Sequence, residues 1–259
     1  MCSSDLRSVS IIADVLRRGG ARQMITVGNN CWTVPNLPCG QMARGYNPYF
    51  YLDAVDYLCQ HNYPAQYCWP GGNGDPLDSE DAMQFWLRAN QISGRIYASL
   101  GKPVIAEEFG WYGGGPSWFL TDLPYRSEED QTRLLDCVMQ TAIGTYAGWL
   151  NWAWKDFPHE RDITNYSGLF RADGRTVKHW GKRFSEYARQ FAKSAPAHLP
   201  ADEVRALPMQ PLYTSDRDHE QWWQDTCRTW DVTKPGDFQP VFERKPMVNS
   251  RLFHHYNQV

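Results

Sequence analysis

Apolar residues recur at helical spacing in four stretches of the chain, where they lie three or four positions apart. Glycines that follow the first two stretches, Gly19 and Gly101, are typical helix stops. Ser127 stands where its hydroxyl can cap the third stretch. The pattern therefore predicts helices over residues 8–18, 79–100, 128–145 and 179–192.

Short, continuously apolar runs alternate with these helices and predict strands over 23–28, 54–59, 103–107 and 147–152. Strands that are apolar on both faces and separated by helices are typical of a parallel sheet covered by helices. The chain between the third strand and the third helix is predicted to be a glycine-rich loop. We expect residues 1–193 to form the main domain and 194–259 to form a proline-rich linker and an aromatic tail that packs on it.

Aromatic residues are abundant, with 12 Trp, 14 Tyr and 11 Phe. This excess suggests flat surfaces for stacking, and sugar rings and nucleobases are the usual partners of such surfaces. A net charge of −3 without a basic block argues against a nucleic-acid partner. The longest apolar runs are far shorter than the roughly 18 residues of a membrane span, so we expect no membrane partner. No secretory signal is visible, which leaves the compartment open.

The seven cysteines include no C-x-x-C pair, so the sequence supports neither a zinc site nor a thioredoxin-type motif. Cys31/Cys39 and Cys59/Cys68 could close small disulfides, and buried free thiols are the alternative. No G-x-G-x-x-G or Walker A loop follows a strand, which disfavours nucleotide binding. A Gly-x-Ser-x-Gly elbow is also missing, which disfavours an esterase.

Every predicted strand ends in polar and aromatic residues. Ligands bind at the C-terminal strand edge in parallel α/β folds, because the loops there converge. We therefore expect one carbohydrate site built from four strand ends: 29–32, 61–63, 108–111 and 152–156.

Three of these segments resemble clan A glycoside hydrolases, especially family 5 with its cellulases and mannanases. The segment Lys102–Gly110, KPVIAEEFG, looks like the seventh strand of that family, in which the Glu before Phe-Gly is the nucleophile. The segment Val55–Pro64 is similar to the sixth strand with its His-x-Tyr. The segment Gly148–Trp154 resembles the eighth strand, and 23–28 then corresponds to the fifth.

The resemblance implies a (β/α)8 TIM-barrel fold of which about the last four βα units are present. It implies retaining hydrolysis of β-linked glycans, an oligo- or polysaccharide substrate, and no metal or cofactor. It assigns the nucleophile to Glu108, while Glu107, its neighbour on the strand, would point to the opposite face. Further substrate-site roles are expected for five residues. His61 would bind a sugar hydroxyl, Tyr63 would donate a hydrogen bond to the nucleophile, and Trp152 would stack on the sugar. Trp32 and Trp111 are candidates for further subsites.

One departure from the family concerns the acid/base residue, a Glu in an Asn-Glu pair after the fourth strand. This chain contains no Asn-Glu pair, and no spacing argument favours Asp156 or Glu160 in that role. We therefore expect an N-terminally incomplete fragment of such a hydrolase. A non-catalytic carbohydrate-binding protein derived from the barrel is the alternative. Unpaired barrel edges predict self-association.

Overall fold

The structure, a computed structural model, describes residues 3–28, 51–64, 75–98, 100–119, 121–141, 145–162 and 164–193. Four helices occupy the predicted stretches: α1 (Ser3–Arg18), α2 (Glu80–Ala98), α3 (Glu128–Thr141) and α4 (His179–Phe191). Ser127 caps α3 as predicted, because its hydroxyl accepts the Asp130 amide N–H at 3.0 Å and the Asp130 carboxylate accepts the Ser127 N–H at 3.1 Å. The predicted linker and tail over 194–259 lie outside the described residues.

The described residues form five strands: β1 (Leu58–Asn62), β2 (Val104–Phe109), β3 (Gly115–Phe119), β4 (Thr121–Arg126) and β5 (Gly148–Asn151). Three of them form a parallel sheet in the order β1-β2-β5. The predicted α/β class with a parallel sheet is therefore confirmed. Within the described ranges this sheet is open and does not close into a barrel.

The predicted strands differ from the observed ones most at the N-terminal side. The expected strand over 23–28 is wrong, since this segment forms no ladder within the described residues. The backbone groups of Ile25 are bonded to Asp56 instead of to a neighbouring strand. Ile25 donates its N–H to the Asp56 carboxylate at 2.6 Å, and its carbonyl accepts the Asp56 N–H at 2.8 Å. The hydrogen bond from the Ile25 amide lowers the pKa of Asp56. The strand expected over 54–59 begins later, at Leu58.

The predicted glycine-rich loop before α3 is instead an antiparallel hairpin of β3 and β4. Gly115 pairs with Arg126 at its open end, while Phe119 pairs with Thr121 at the turn. Pro116 and Pro124 interrupt the usual strand pattern, and this is why the sequence indicated a loop.

Buried apolar residues of the parallel sheet and of α2, α3 and α4 form one cluster. The aromatic rings of Phe109 in β2 and Trp180 in α4 lie 5.4 Å apart within it. Helix α1 behaves differently, because its aliphatic face is exposed: Ile11 by 60%, Ile12 by 58%, Val15 by 56% and Leu16 by 45%. Self-association of the chain stays a prediction, for which this face and the outer edge of β5 are the relevant surfaces. None of the described helices is long and apolar enough to cross a membrane.

Candidate active site

Three of the predicted site residues meet at the C-terminal ends of β1 and β2. The Tyr63 hydroxyl donates a hydrogen bond to Glu108 Oε2 at 2.9 Å, and His61 Nδ1 lies 3.3 Å from the same oxygen. Burial and the Glu108 carboxylate both raise the pKa of the Tyr63 hydroxyl, so this group stays protonated and donates. The hydrogen bond expected between Tyr63 and Glu108 is therefore present, and one carboxylate oxygen has two polar neighbours.

An irregularity in β2 brings a second carboxylate to the same histidine. In the register of β1 and β2, Gln60 pairs with Ala106 and His61 pairs with Glu108, so Glu107 is an extra residue on β2. Glu107 Oε2 lies 3.7 Å from His61 Nε2. The expectation that Glu107 and Glu108 point to opposite faces is wrong, because the bulge breaks the alternation on which it rested.

The Glu107 carboxylate is enclosed by the segment that precedes β1. A Cβ atom built on Gly28 would lie 2.8 Å from Glu107 Oε2 and 3.0 Å from His61 Nε2. Cys59, two residues before His61, is buried and has a free thiol, as in the alternative to a disulfide, while Cys68 lies outside the described residues. Burial, with a smaller contribution from the Glu107 carboxylate, raises the pKa of this thiol to about 12. The other candidate pair, Cys31/Cys39, lies outside the described residues.

Trp152 follows β5 directly and is 47% exposed. Its backbone N–H donates to the carbonyl of Phe109, the residue after Glu108, at 2.9 Å. A Cβ atom on Gly110 would lie 2.5 Å from the Trp152 carbonyl oxygen, so only glycine fits between the two strand ends. The peptide bond between Trp152 and Ala153 is cis. Trp152 and Glu108 therefore lie at the same sheet edge, one strand apart.

Trp111 does not form a subsite. Its side chain is fully buried, and its indole N–H donates to Asp75 Oδ1 at 3.1 Å. The other Asp75 oxygen accepts hydrogen bonds from the Tyr112 hydroxyl at 2.9 Å and from Arg126 Nε at 2.8 Å. The expected stacking role of Trp111 is wrong, because Asp75 gives the indole N–H a buried partner. Trp32, the other predicted subsite, lies outside the described residues.

We expect Trp111→Phe to lower the free energy of unfolding by about 2 kcal/mol, since the Asp75 carboxylate loses one charge-assisted hydrogen bond. Carbohydrate affinity should stay within about twofold of wild type. Urea unfolding and titration calorimetry with an oligosaccharide measure the two effects. Trp149→Phe is the matched control, because the buried indole N–H of Trp149 has no hydrogen-bond partner within the described residues. A large loss of affinity in Trp111→Phe with unchanged stability would restore Trp111 as a subsite.

Asp156 has a structural position. Lys178 is fully buried, and its Nζ donates to Asp156 Oδ1 at 2.9 Å, to the Gly113 carbonyl at 2.7 Å and to the Tyr166 carbonyl at 2.6 Å. Asp156 Oδ1 also accepts the Gly168 N–H at 2.9 Å. These bonds fix the loop that follows Trp152, and they leave Asp156 unsuited to acid/base chemistry. Glu160, the other carboxyl of this loop, is exposed.

Sequence reasoning missed two contributors to the site, Glu107 and Gly28. Glu107 was set aside because a regular strand turns adjacent side chains to opposite faces, and no sequence pattern marks the bulge. The signal for Gly28 was present, since an isolated glycine at a strand end often marks a close approach. Within the described ranges, no group of three or more His, Cys, Asp or Glu residues is arranged to hold a metal ion.

No protein-family model matches the chain, and no curated protein is similar enough to match it. Solved structures do match. A polyextremophilic β-galactosidase from the Antarctic haloarchaeon Halorubrum lacusprofundi is 18% identical with a TM-score of 0.55, over 80% of this chain and 28% of that one. The chain shares its fold with part of a glycoside hydrolase.

Two further structures are similar. A β-galactosidase from the psychrophilic Marinomonas ef1 is 14% identical with a TM-score of 0.50, over 72% of this chain and 26% of that one. An endo-laminarinase from Formosa Hel1_33_131 is 19% identical with a TM-score of 0.46, over 71% of this chain and 52% of that one. This chain thus spans only about a quarter of the β-galactosidases' length, and the likeness concerns the fold alone.

Proposed function

We propose that the described residues form the nucleophile side of a retaining β-glycosidase site on a (β/α)8-type barrel of the family 5 kind. The single observation behind this proposal is the contact of Glu108 Oε2 with both the Tyr63 hydroxyl and His61 Nδ1. The hydrogen bond from Tyr63 orients the Glu108 carboxylate, and a carboxylate is the group that attacks the anomeric carbon in a retaining glycosidase. The glycoside hydrolase fold of the neighbouring structures supports the proposal.

The arrangement gives the two oxygens of Glu108 different tasks. Oε2 is engaged by Tyr63 and faces His61, so attack is assigned to Oε1. In the glycosylation step the Glu108 carboxylate bonds to the anomeric carbon, and the leaving oxygen departs with the electron pair of the broken bond. Trp152, half exposed at the same edge, would offer an apolar face to the pyranose. The acid/base carboxyl is assigned to no described residue.

Covalent trapping tests the proposal without an acid catalyst, because dinitrophenolate leaves without protonation. The full chain is incubated with 2,4-dinitrophenyl 2-deoxy-2-fluoro-β-glycosides of glucose, galactose, mannose and glucuronic acid. We expect one fluoroglycosyl group per chain in the intact mass and its attachment to Glu108 in the peptide map. Labelling at another residue would refute the nucleophile assignment.

The alternative is a non-catalytic carbohydrate-binding protein built on the same fold, and the exposed Trp152 favours it as well. The two proposals separate in the same experiment. Binding of oligosaccharides in calorimetry together with no label from any of the four reagents would support the binding protein and contradict the hydrolase.

A further inference from the structure

Glu107 takes no part in the proposed attack of Glu108 on the sugar, although its carboxylate lies beside His61. His61 stands between two carboxylates, with Nδ1 at 3.3 Å from Glu108 Oε2 and Nε2 at 3.7 Å from Glu107 Oε2. The side chains of all three residues are between 22% and 30% exposed, so solvent screens their interactions only in part. Glu107 Oε2 is itself buried and makes no hydrogen bond within the described part of the chain.

The bulge in β2 explains why this arrangement exists at all. In a strand without a bulge, adjacent side chains alternate, so Glu107 would point away from Glu108 and His61 would meet only one carboxylate. Bulges of this kind re-aim a side chain and are common next to active sites. The side chain that this bulge redirects is that of Glu107. Its carboxylate lies 3.7 Å from His61 Nε2, the imidazole nitrogen that does not face Glu108.

Gly28 limits the movement of Glu107 from the opposite direction. Gly28 has no Cβ atom, and one placed there would collide with both Glu107 Oε2 and His61 Nε2. Thr26 adds a second contact of the same segment, because its hydroxyl lies 3.2 Å from Cys59 Sγ. The segment before β1 therefore lies close to Glu107 Oε2 on the side of Gly28, while the Glu107 side chain as a whole is 30% exposed.

We propose that Glu107 is a positioning residue that holds the imidazole of His61 through Nε2, so that Nδ1 stays against Glu108. This inference rests on the proposed function, in which Glu108 attacks the sugar. Glu107 Oε2 makes no hydrogen bond to Nε2, so it acts on the imidazole through its charge and its close approach of 3.7 Å, which together oppose rotation of the ring away from Glu108. A fixed ring holds Glu108 Oε2 in place and leaves Oε1 aimed at the anomeric carbon.

Glu107→Gln tests the proposal because it keeps the shape of the side chain and removes its charge. We expect the first-order labelling rate with the 2-fluoroglycoside to fall by about 10- to 100-fold, as when a reacting group is displaced by a fraction of an ångström. The concentration for half-maximal labelling should change by less than about threefold, since the proposal gives Glu107 no contact with the sugar. Gly28→Ala presses on the same carboxylate and should slow labelling in the same direction, which provides a second variant.

A readout on His61 separates this proposal from the proposed function. Long-range 1H–15N spectra report both imidazole nitrogens, and a His61→Gln variant assigns the signal. In Glu107→Gln we expect the Nε2 signal of His61 to move. Glu186→Gln, a matched change on the exposed surface of α4, should alter neither the signal nor the labelling rate.

Three results decide the matter. Slower labelling with a displaced Nε2 signal supports the positioning role. If Glu107→Gln is labelled as fast as wild type, the positioning role is overturned and the proposed function stands. If wild type is never labelled, the proposed function fails and the positioning role falls with it, even where the His61 signal still responds to Glu107.

Discussion

Replacing Glu108 by alanine is expected to slow single-turnover release of dinitrophenolate from an aryl β-glycoside by at least about 1,000-fold. The reason is that the variant lacks the carboxylate that bonds to the anomeric carbon, and losses of this size follow removal of a covalent nucleophile. Stopped-flow absorbance measures the release. Glu186→Ala, which removes an exposed carboxylate of α4, is the matched control and should react like wild type.

Added azide extends this test. The alanine variant leaves a space beside Tyr63 and His61 that a small anion can enter. Azide then attacks the anomeric carbon from the vacated side, dinitrophenolate leaves with its electron pair, and the product is a glycosyl azide of α configuration. Proton NMR identifies that product. Release that is undiminished in Glu108→Ala, or a β-configured azide, would contradict the assignment of Glu108.

Lys178→Met is expected to cause the largest loss of stability among the changes considered. The variant leaves Asp156 buried without its cation and removes the donor from the carbonyls of Gly113 and Tyr166. Breaking a buried ion pair in this way costs about 3–5 kcal/mol of unfolding free energy. For a chain of this size we expect the melting temperature to fall by about 6–20 °C, as measured by calorimetry.

Two further variants make the Lys178 result specific. Lys182→Met changes the same residue type at an exposed position of α4, the helix that begins directly after Lys178, and should melt within about 2 °C of wild type. Lys178→Met combined with Asp156→Leu removes both charges and should recover part of the loss, because no unpaired charge stays buried. Equal melting temperatures for Lys178→Met and Lys182→Met would show that the pair adds nothing to stability.

Sequence patterns predicted the regular part of the fold well. Helical periodicity located the four α-helices of the described residues, and continuous apolar runs located β2 and β5, although Leu150 of β5 is 56% exposed. The hairpin over 115–126 was missed, since its prolines and glycines are the residues that usually mark loops. The segment 23–28 has the composition of a strand, but its Ile25 is bonded by the Asp56 side chain.

The site was predictable only in part, for a different physical reason. Glu108, His61 and Tyr63 come together because each stands at a strand end, and strand ends of a parallel sheet share one edge. The position of Trp111 depends on its partner Asp75, which is 36 residues away in the sequence. The position of Glu107 depends on the bulge in the ladder of β1 and β2. Neither long-range partners nor bulges leave a periodic signal in a single sequence.

The way in which Trp152 is attached has a consequence for how such a chain can diversify. Its main chain, not its indole, is what the neighbouring strand and Gly110 hold in position. The ring can thus be exchanged for another flat or polar group while the scaffold beneath it stays intact. On the proposed function, preference for one sugar over another could drift at residue 152 over evolutionary time, whereas residue 110 must stay glycine.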